Sequence, residues 1–168
     1  MNQILIAEKD QHAAAIRELF SEYLEWATTK INQEFGLGFV ANDYLEHDMV
    51  SLEKFIPPKG RLLLELVDGV PVGVACLKEL EGNTGEVKRM YVKPEMRGRG
   101  IGTALLTRLI DDATPVGYNC LRLDSARFMT DAHRLYRSMG FADIEPYEGS
   151  EIPKEFQPHW IFMEKHLG

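Results

Sequence analysis

A glycine-rich hexapeptide, Arg97-Gly98-Arg99-Gly100-Ile101-Gly102, separates a strand-like run, Glu86–Val92, from a helix-like run that begins at Thr103 and continues to Ile110. This junction constrains the fold more than any other part of the chain, because it requires a strand and a helix to follow one another across a tight, anion-friendly turn. The first N–H groups of a helix have no partner inside it. The helix dipole favours negative charge at that end, and glycines let an anion approach the main chain. Arg97 and Arg99 add planar guanidinium donors that suit a pyrophosphate. The junction is therefore expected to hold a phosphorylated ligand.

The flanking elements read as a mixed α/β (α+β) sheet. Gln3–Glu8 is a short strand, and Asp10 is placed to cap a helix with Ala13, Ile16, Leu19, Phe20, Tyr23 and Leu24 on one face. Residues 28–42 are mixed, with Gly36 and Gly38 as breakers, and Tyr44–Phe55 is a weaker helix stopped by Pro57-Pro58. Arg61–Val67 and Val70–Leu77 are strands joined by Asp68-Gly69, a dipeptide suited to a type I′ hairpin turn. The turn Glu81–Gly85 leads to the strand Glu86–Val92, completing an antiparallel meander. The junction, a helix through Ala113 and a strand Asn119–Ser125 then form a right-handed parallel crossover. A second helix from Thr130 or Asp131 carries Ala132, Leu135, Tyr136 and Met139 on one face, and Gly140 is placed for a left-handed stop. A short strand, Phe141–Glu145, a proline-containing loop, 146–158, and a last strand, His159–His166, complete the chain. Helices are expected on both faces of one sheet, and residues 1–168 as one domain.

Composition excludes several classes. The chain carries 19 Lys and Arg against 26 Asp and Glu, a net charge of −7, where a duplex nucleic-acid binder is usually basic. Cys76 and Cys120 lie in apolar strand-like runs without metal-ligand spacing, so reduced core cysteines and no metal are expected. No basic-then-apolar leader and no run of membrane-spanning length is present, and a cytoplasmic protein is the expectation.

Three phosphate-binding patterns compete for the junction. A P-loop needs Lys before Ser/Thr, and Ile101-Gly102-Thr103 has no Lys. The dinucleotide fingerprint is met by Gly98 and Gly100, but Thr103 stands at its third glycine and Lys93–Arg97 intervene after the strand. Asp124 mimics that pattern's ribose-binding acid only at a longer spacing. The third pattern fits best. Arg97-x-x-Gly100-x-Gly102 resembles the Gln/Arg-x-x-Gly-x-Gly/Ala signature of the GNAT acyltransferase superfamily. Glu86–Glu95 resembles its fourth strand and following turn, and Ala132-His133-Arg134-Leu135-Tyr136-Arg137-Ser138-Met139-Gly140-Phe141 resembles its Ala-x-x-Leu-Tyr-x-x-x-Gly-Phe segment.

The resemblance implies a GNAT-like sheet and an acetyl-CoA site. The pyrophosphate is expected on the main chain of Arg97, Gly98, Arg99, Gly100, Ile101, Gly102 and Thr103. The pantetheine arm is expected along Met90, Tyr91 and Val92, where its two amides can pair with a free strand edge. Glu86–Val92 does not alternate cleanly, which is compatible with the bulge usual in that strand. A small-molecule amine is the favoured acceptor, ahead of a protein N-terminus or lysine, and homodimers are frequent in the family. The family's Tyr, matched by Tyr136, acts as general acid toward the leaving thiolate; read from its neighbours alone, Tyr136 is a core aromatic. Glu86 matches the strand Glu that some members use as a water-relayed base, and its alternative is a surface Glu at a strand end. His159 is a second basic candidate, and the N–H near Met90 or Tyr91 an oxyanion donor. Met129 stands where many members have an Asn that contacts the cofactor arm. Trp26, Phe35, Phe39, Tyr44 and the loop 146–158, with Glu148 and Glu151, are candidates for the acceptor pocket. The competing reading is an acyl-CoA-binding module without catalysis.

Overall fold

The computed structural model describes residues 1–168. Seven strands form one sheet: β1 (Asn2–Ile6), β2 (Arg61–Val67), β3 (Val70–Leu80), β4 (Thr84–Val92), β5 (Cys120–Ala126), β6 (Ala142–Ile144) and β7 (Trp160–His166), in the order β1-β2-β3-β4-β5-β7-β6. Every neighbouring pair is antiparallel except β4 and β5. The meander and parallel crossover expected from the sequence are both present. The β2–β3 turn forms because Asp68 (φ 50°) and Gly69 (φ 80°) both adopt positive φ, as a type I′ turn requires.

Helices α1 (Ala13–Phe35) and α2 (Ala41–Val50) cover one face, burying Ile16, Leu19, Phe20 and Leu45 against Leu62, Leu64 and Val74. Helix α3 (Ile101–Val116) covers the other, with Leu105, Leu106 and Leu109 against Leu63, Ala75 and Leu77, and α4 (Thr130–Ser138) adds Tyr136 to that core. No helix is long and apolar enough to cross a membrane. Cys76 and Cys120 are buried free thiols.

Several boundaries differ from the sequence reading: the expected helix Tyr44–Phe55 is α2 followed by a separate 3-10 turn, Leu52–Phe55, β3 runs on to Leu80, and both ends of α1 shift. Asp10 is not the cap of α1; the helix starts at Ala13, and its N-cap position, His12, makes no side-chain capping bond. Instead the His12 Nδ1 accepts from the Glu8 N–H at 2.8 Å, which shapes the preceding turn. The helix also continues through residues 28–35. Leu24, Ala27, Thr28 and Ile31 keep its buried stripe at helical spacing, so packing carries it on until Gly36 ends it at φ 67°.

The sheet feature that positions everything else is in β4. Val74 pairs with Tyr91 and Cys76 with Lys88, so two residues, Arg89 and Met90, stand opposite Ala75 alone. This is a β-bulge, and Arg89 takes a positive φ of 53° to form it. On its other edge β4 pairs with β5 only over Thr84–Glu86 and Cys120–Arg122. Beyond that point the two strands part, and the sheet opens between them.

On β2, Glu65 is 3% exposed and its Oε2 has no hydrogen-bond partner. Burial raises its pKa. The folded protein therefore holds this proton more tightly than the unfolded chain does. The penalty is absent below the unfolded value of about 4.3 and grows as pH rises through the raised folded value. Glu65→Gln is expected to stabilise the protein at pH 7 by about 1 kcal/mol, roughly 2–4 °C in the unfolding midpoint. Thermal melts should show that gain vanishing near pH 4.

Candidate active site

The parting of β4 and β5 opens a cleft of about 560 Å³ that passes from one face of the sheet to the other. On the α3–α4 face it is walled by Gly98, Gly100, Gly102, Thr103, Leu135 and Tyr136. On the opposite face it is walled by Tyr23 and Trp26 of α1, Tyr44 of α2, and Glu151 and Ile152 of the loop before β7.

The junction after β4 is built as an anion cradle. Gly98 (φ 78°) and Gly100 (φ 80°) turn the chain through the left-handed region. The first intrahelical bond runs from the Ala104 N–H to the Gly100 carbonyl at 3.0 Å. The N–H groups of Ile101, Gly102 and Thr103 precede it and are free for an anion. The first turn of α3 contains no acidic residue. Arg97 donates Nε to the Val92 carbonyl at 3.0 Å and lays its guanidinium over Trp26 and Tyr91, which fixes it at the cleft rim. Arg99 is exposed and does not line the cleft. Met90 and Val92 pack on the α3–α4 side, whereas Tyr91 is buried on the α1 side.

Gly102 is not a position that only glycine can fill. A Cβ built there meets only Leu135 and Met90 at 3.6 Å and Val92 at 3.9 Å, ordinary contact distances. Gly102→Ala should therefore fold as well as the native chain or slightly better, gaining up to about 1 kcal/mol of helix propensity. The signature accepts either Gly or Ala at this position. Thermal melts and acetyl-CoA titration should show unchanged or raised stability with acetyl-CoA affinity within about twofold of native.

Tyr136 is 7% exposed and lies edge-on to Phe141, with centroids 5.9 Å apart. Its hydroxyl has one protein contact, a long 3.8 Å approach to the Met90 Sδ. Burial raises its pKa well above the usual tyrosine value, with further contributions from Tyr23 and Asp124. The phenol therefore stays protonated at physiological pH, keeps a proton to donate, and faces the cleft. Met129, at the position of the family's Asn, also lines the cleft. There the Ser125 hydroxyl donates to the Met129 Sδ at 3.5 Å and is held 3.0 Å from the His133 Nε2. A polar group thus remains beside Met129, supplied by β5.

Glu86 is elsewhere. It is 1% exposed, accepts a 2.6 Å bond from the Tyr147 hydroxyl, and does not reach the cleft wall. Burial raises its pKa. His159 stacks on Phe35, with ring centroids 4.4 Å apart, and both are set back from the cleft. Trp26, Phe39 and Tyr44 do line it. The Glu148 side is solvent-facing, but Glu151 enters the cleft.

A charged cluster on the α1–α2 side of the cleft was not legible in the sequence. Lys88 and Arg89 both reach Glu151, at 2.7 and 2.9 Å. Neighbours in a regular strand point to opposite faces; the bulge at Arg89 cancels that alternation. Arg89 also grips Asp48 of α2, with Nε to Oδ2 at 2.6 Å and Nη2 to Oδ1 at 3.2 Å. Lys54 closes on the same Asp48 at 2.9 Å. Asp124 of β5 lines the cleft, accepts from the Ser150 hydroxyl at 3.0 Å, and lies 4.0 Å from Lys88. Asp124 is thus the carboxylate that β5 presents at the opening, a position the sequence suggested only as a mimic of a ribose-binding acid.

Comparison with known proteins agrees with this geometry. The acetyltransferase (GNAT) family model matches residues 13–141. An IAA acetyltransferase of Azospirillum brasilense is 37% identical over 71% of this chain and 76% of its own length. N-acetylaspartate synthetase of Rattus norvegicus is 36% identical over 65% of this chain, spanning 38% of that longer protein. In fold, the chain is similar to the PaiA N-acetyltransferase of Thermoplasma acidophilum in complex with coenzyme A, with a TM-score of 0.74 at 19% identity and 99% of each chain covered. The signature around Gly100, the split sheet and the tyrosine facing it thus belong together, and the chain is a member of the GNAT acetyltransferase family and an N-acetyltransferase.

Proposed function

We propose that the chain transfers the acetyl group of acetyl-CoA to the primary amine of a small molecule, by direct attack within a ternary complex. The observation that carries this reading is the protonated Tyr136 hydroxyl, held only by a 3.8 Å contact to the Met90 Sδ, in a cleft that joins the α3 anion cradle to the α1–α2 side of the sheet. The named N-acetyl product of one relative supports nitrogen as the acceptor atom. Binding of coenzyme A by a protein of the same fold supports the donor.

In this reading the free N–H groups of Ile101, Gly102 and Thr103 hold the pyrophosphate. The unpaired edge of β4 beyond Glu86 pairs with the amides of the arm. The bulge leaves main-chain donors near Met90 and Tyr91 for the oxyanion that develops on the thioester carbonyl. An amine arrives charged, since its reference pKa is about 10, and must lose a proton before it attacks. We assign that proton to Asp124 through a water, in place of Glu86, because Asp124 lines the cleft while Glu86 is buried, bonded to the Tyr147 hydroxyl, and does not line it. The amine nitrogen bonds to the acetyl carbon, the carbon–sulfur bond breaks, and Tyr136 gives its proton to the departing thiolate. The second nitrogen proton leaves as the amide forms and restores the phenol through water, while the proton held by Asp124 passes to solvent.

Thermal unfolding with excess acetyl-CoA, CoA, NAD and ATP tests the donor. At a hundredfold the dissociation constant a ligand adds about 2.7 kcal/mol, or roughly 5–10 °C in a domain of this size. The shift is expected with acetyl-CoA and CoA alone; a shift with NAD alone overturns the reading. Thiol release on adding amines then separates the enzyme from an acyl-CoA-binding module.

A further inference from the structure

The acceptor side of the cleft holds two cations where an amine donor of electrons would not by itself need any. Lys88 and Arg89 are both 7% exposed, and both point at one spot, now taken by the carboxylate of Glu151. Three charge-assisted donors converge there: Lys88 Nζ on Oε1 at 2.7 Å, Arg89 Nη1 on Oε1 at 2.9 Å and Arg89 Nη2 on Oε2 at 3.3 Å. This is the fork geometry by which arginine grips any carboxylate. The other edge of Arg89 is permanently committed to Asp48, which is fully buried.

Glu151 differs from the rest of the cluster. Its side chain is 35% exposed, against 0% for Asp48 and 7% for Asp124. It stands in the loop between β6 and β7, outside any helix or strand. It is therefore the one carboxylate of the cluster that can leave without opening the core. The bulge that turns Arg89 beside Lys88 also precedes Met90 and Tyr91, where the thioester is to be attacked. One short stretch of β4 thus carries both the cations that hold the carboxylate spot and the main chain proposed to face the thioester.

We infer that the acceptor is an amino acid, whose carboxylate displaces Glu151 from Lys88 and Arg89 and thereby places its amine at the thioester. This rests on the acetyl-transfer reading for its second half and on the Lys88–Arg89–Glu151 geometry alone for its first. Glu151 acts as an internal stand-in for the substrate carboxylate: it satisfies the two cations while the site is empty and must be outcompeted. Aromatic walls at Trp26, Phe39 and Tyr44 suit the apolar side chains of such acceptors.

The test uses the full chain, the variant Glu151→Ala, and the double variant Lys88→Met/Glu151→Ala. Sodium propionate, set against sodium chloride at equal ionic strength, is the binding probe, read by thermal shift. Thiol release from acetyl-CoA is the transfer readout, with each amino acid compared to the amine left when its α-carboxyl is removed, for example phenylalanine with phenethylamine and leucine with 3-methylbutylamine. If Glu151 holds the spot nine-tenths of the time, its removal tightens apparent carboxylate binding about tenfold. Glu151→Ala is thus expected to bind propionate about tenfold more tightly than the native chain, and the double variant to lose that gain. Amino acids are expected to exceed their decarboxylated partners at least a hundredfold in kcat/KM. Equal transfer to both members of each pair, or propionate binding indifferent to Glu151 and Lys88, overturns the inference and leaves acetyl transfer standing. Lys88-dependent propionate binding without transfer to any amine supports the carboxylate site and overturns the acetyl-transfer reading instead.

Discussion

Replacing Tyr136 by Phe is expected to lower kcat by about 10²–10⁴-fold, the usual contribution of a positioned general acid. Acetyl-CoA affinity and the unfolding midpoint should stay close to native. The hydroxyl makes one weak contact with sulfur at 3.8 Å, so its loss removes little from the fold, and the ring keeps its packing on Phe141. Its pKa is raised by burial, so the native enzyme should show no loss of activity from ionisation of this group below about pH 10, the ordinary tyrosine value. Steady-state kinetics with an authenticated acceptor, paired with a CoA titration, checks both halves. A mutant that keeps native turnover removes Tyr136 from the chemistry.

The largest effect on stability is expected at a residue that carries no chemistry. Asp48→Ala should cost about 3–5 kcal/mol, the range for removing one partner of a buried ion pair, and lower the midpoint by roughly 10 °C or more. Asp48 is fully buried and accepts from Arg89 at 2.6 Å and Lys54 at 2.9 Å. Without it the guanidinium of Arg89 is left in the interior with one edge unpaired. On the same helix, Glu46 pairs with Arg17 at 2.8 Å in the open, with each side chain about half exposed. Solvent and salt screen that pair, so Glu46→Ala should leave the midpoint unchanged. Thermal melts of the two variants side by side test whether burial, rather than the count of ion pairs, sets the cost.

The parts of this protein legible in the sequence are those decided by near neighbours. Asp68-Gly69 imposes its turn because both residues tolerate positive φ, and Gly98 and Gly100 shape the cradle for the same reason. The apolar spacing of 103–110 and 132–139 sets the buried faces of α3 and α4. A strand, a glycine turn and a helix in succession are enough to imply an anion site, and the motifs around them are enough to imply the family. Where local signals conflicted the reading failed. Gly36 and Gly38 suggested irregular chain before them, but the stripe through Ile31 holds α1 together by packing on distant residues.

The floor of the cleft is a different matter. Glu86, a strand-end carboxylate by sequence, is buried and bonded to the hydroxyl of Tyr147, which comes from a loop 61 residues away, and it does not line the cleft. Asp48, Lys88, Arg89, Asp124 and Glu151 come from one helix, two strands and a loop, and nothing in their spacing announces a cluster. The bulge that puts Lys88 and Arg89 on one side is stabilised by partners that only the folded sheet brings into reach. The sequence by itself determined the main elements, their order and the glycine turn at the start of α3, because short-range sterics and hydrophobic periodicity act within a few residues. Which carboxylates face the cleft, and which are buried as supports, was decided by tertiary structure alone, because charge pairing and desolvation depend on neighbours that are distant in the chain.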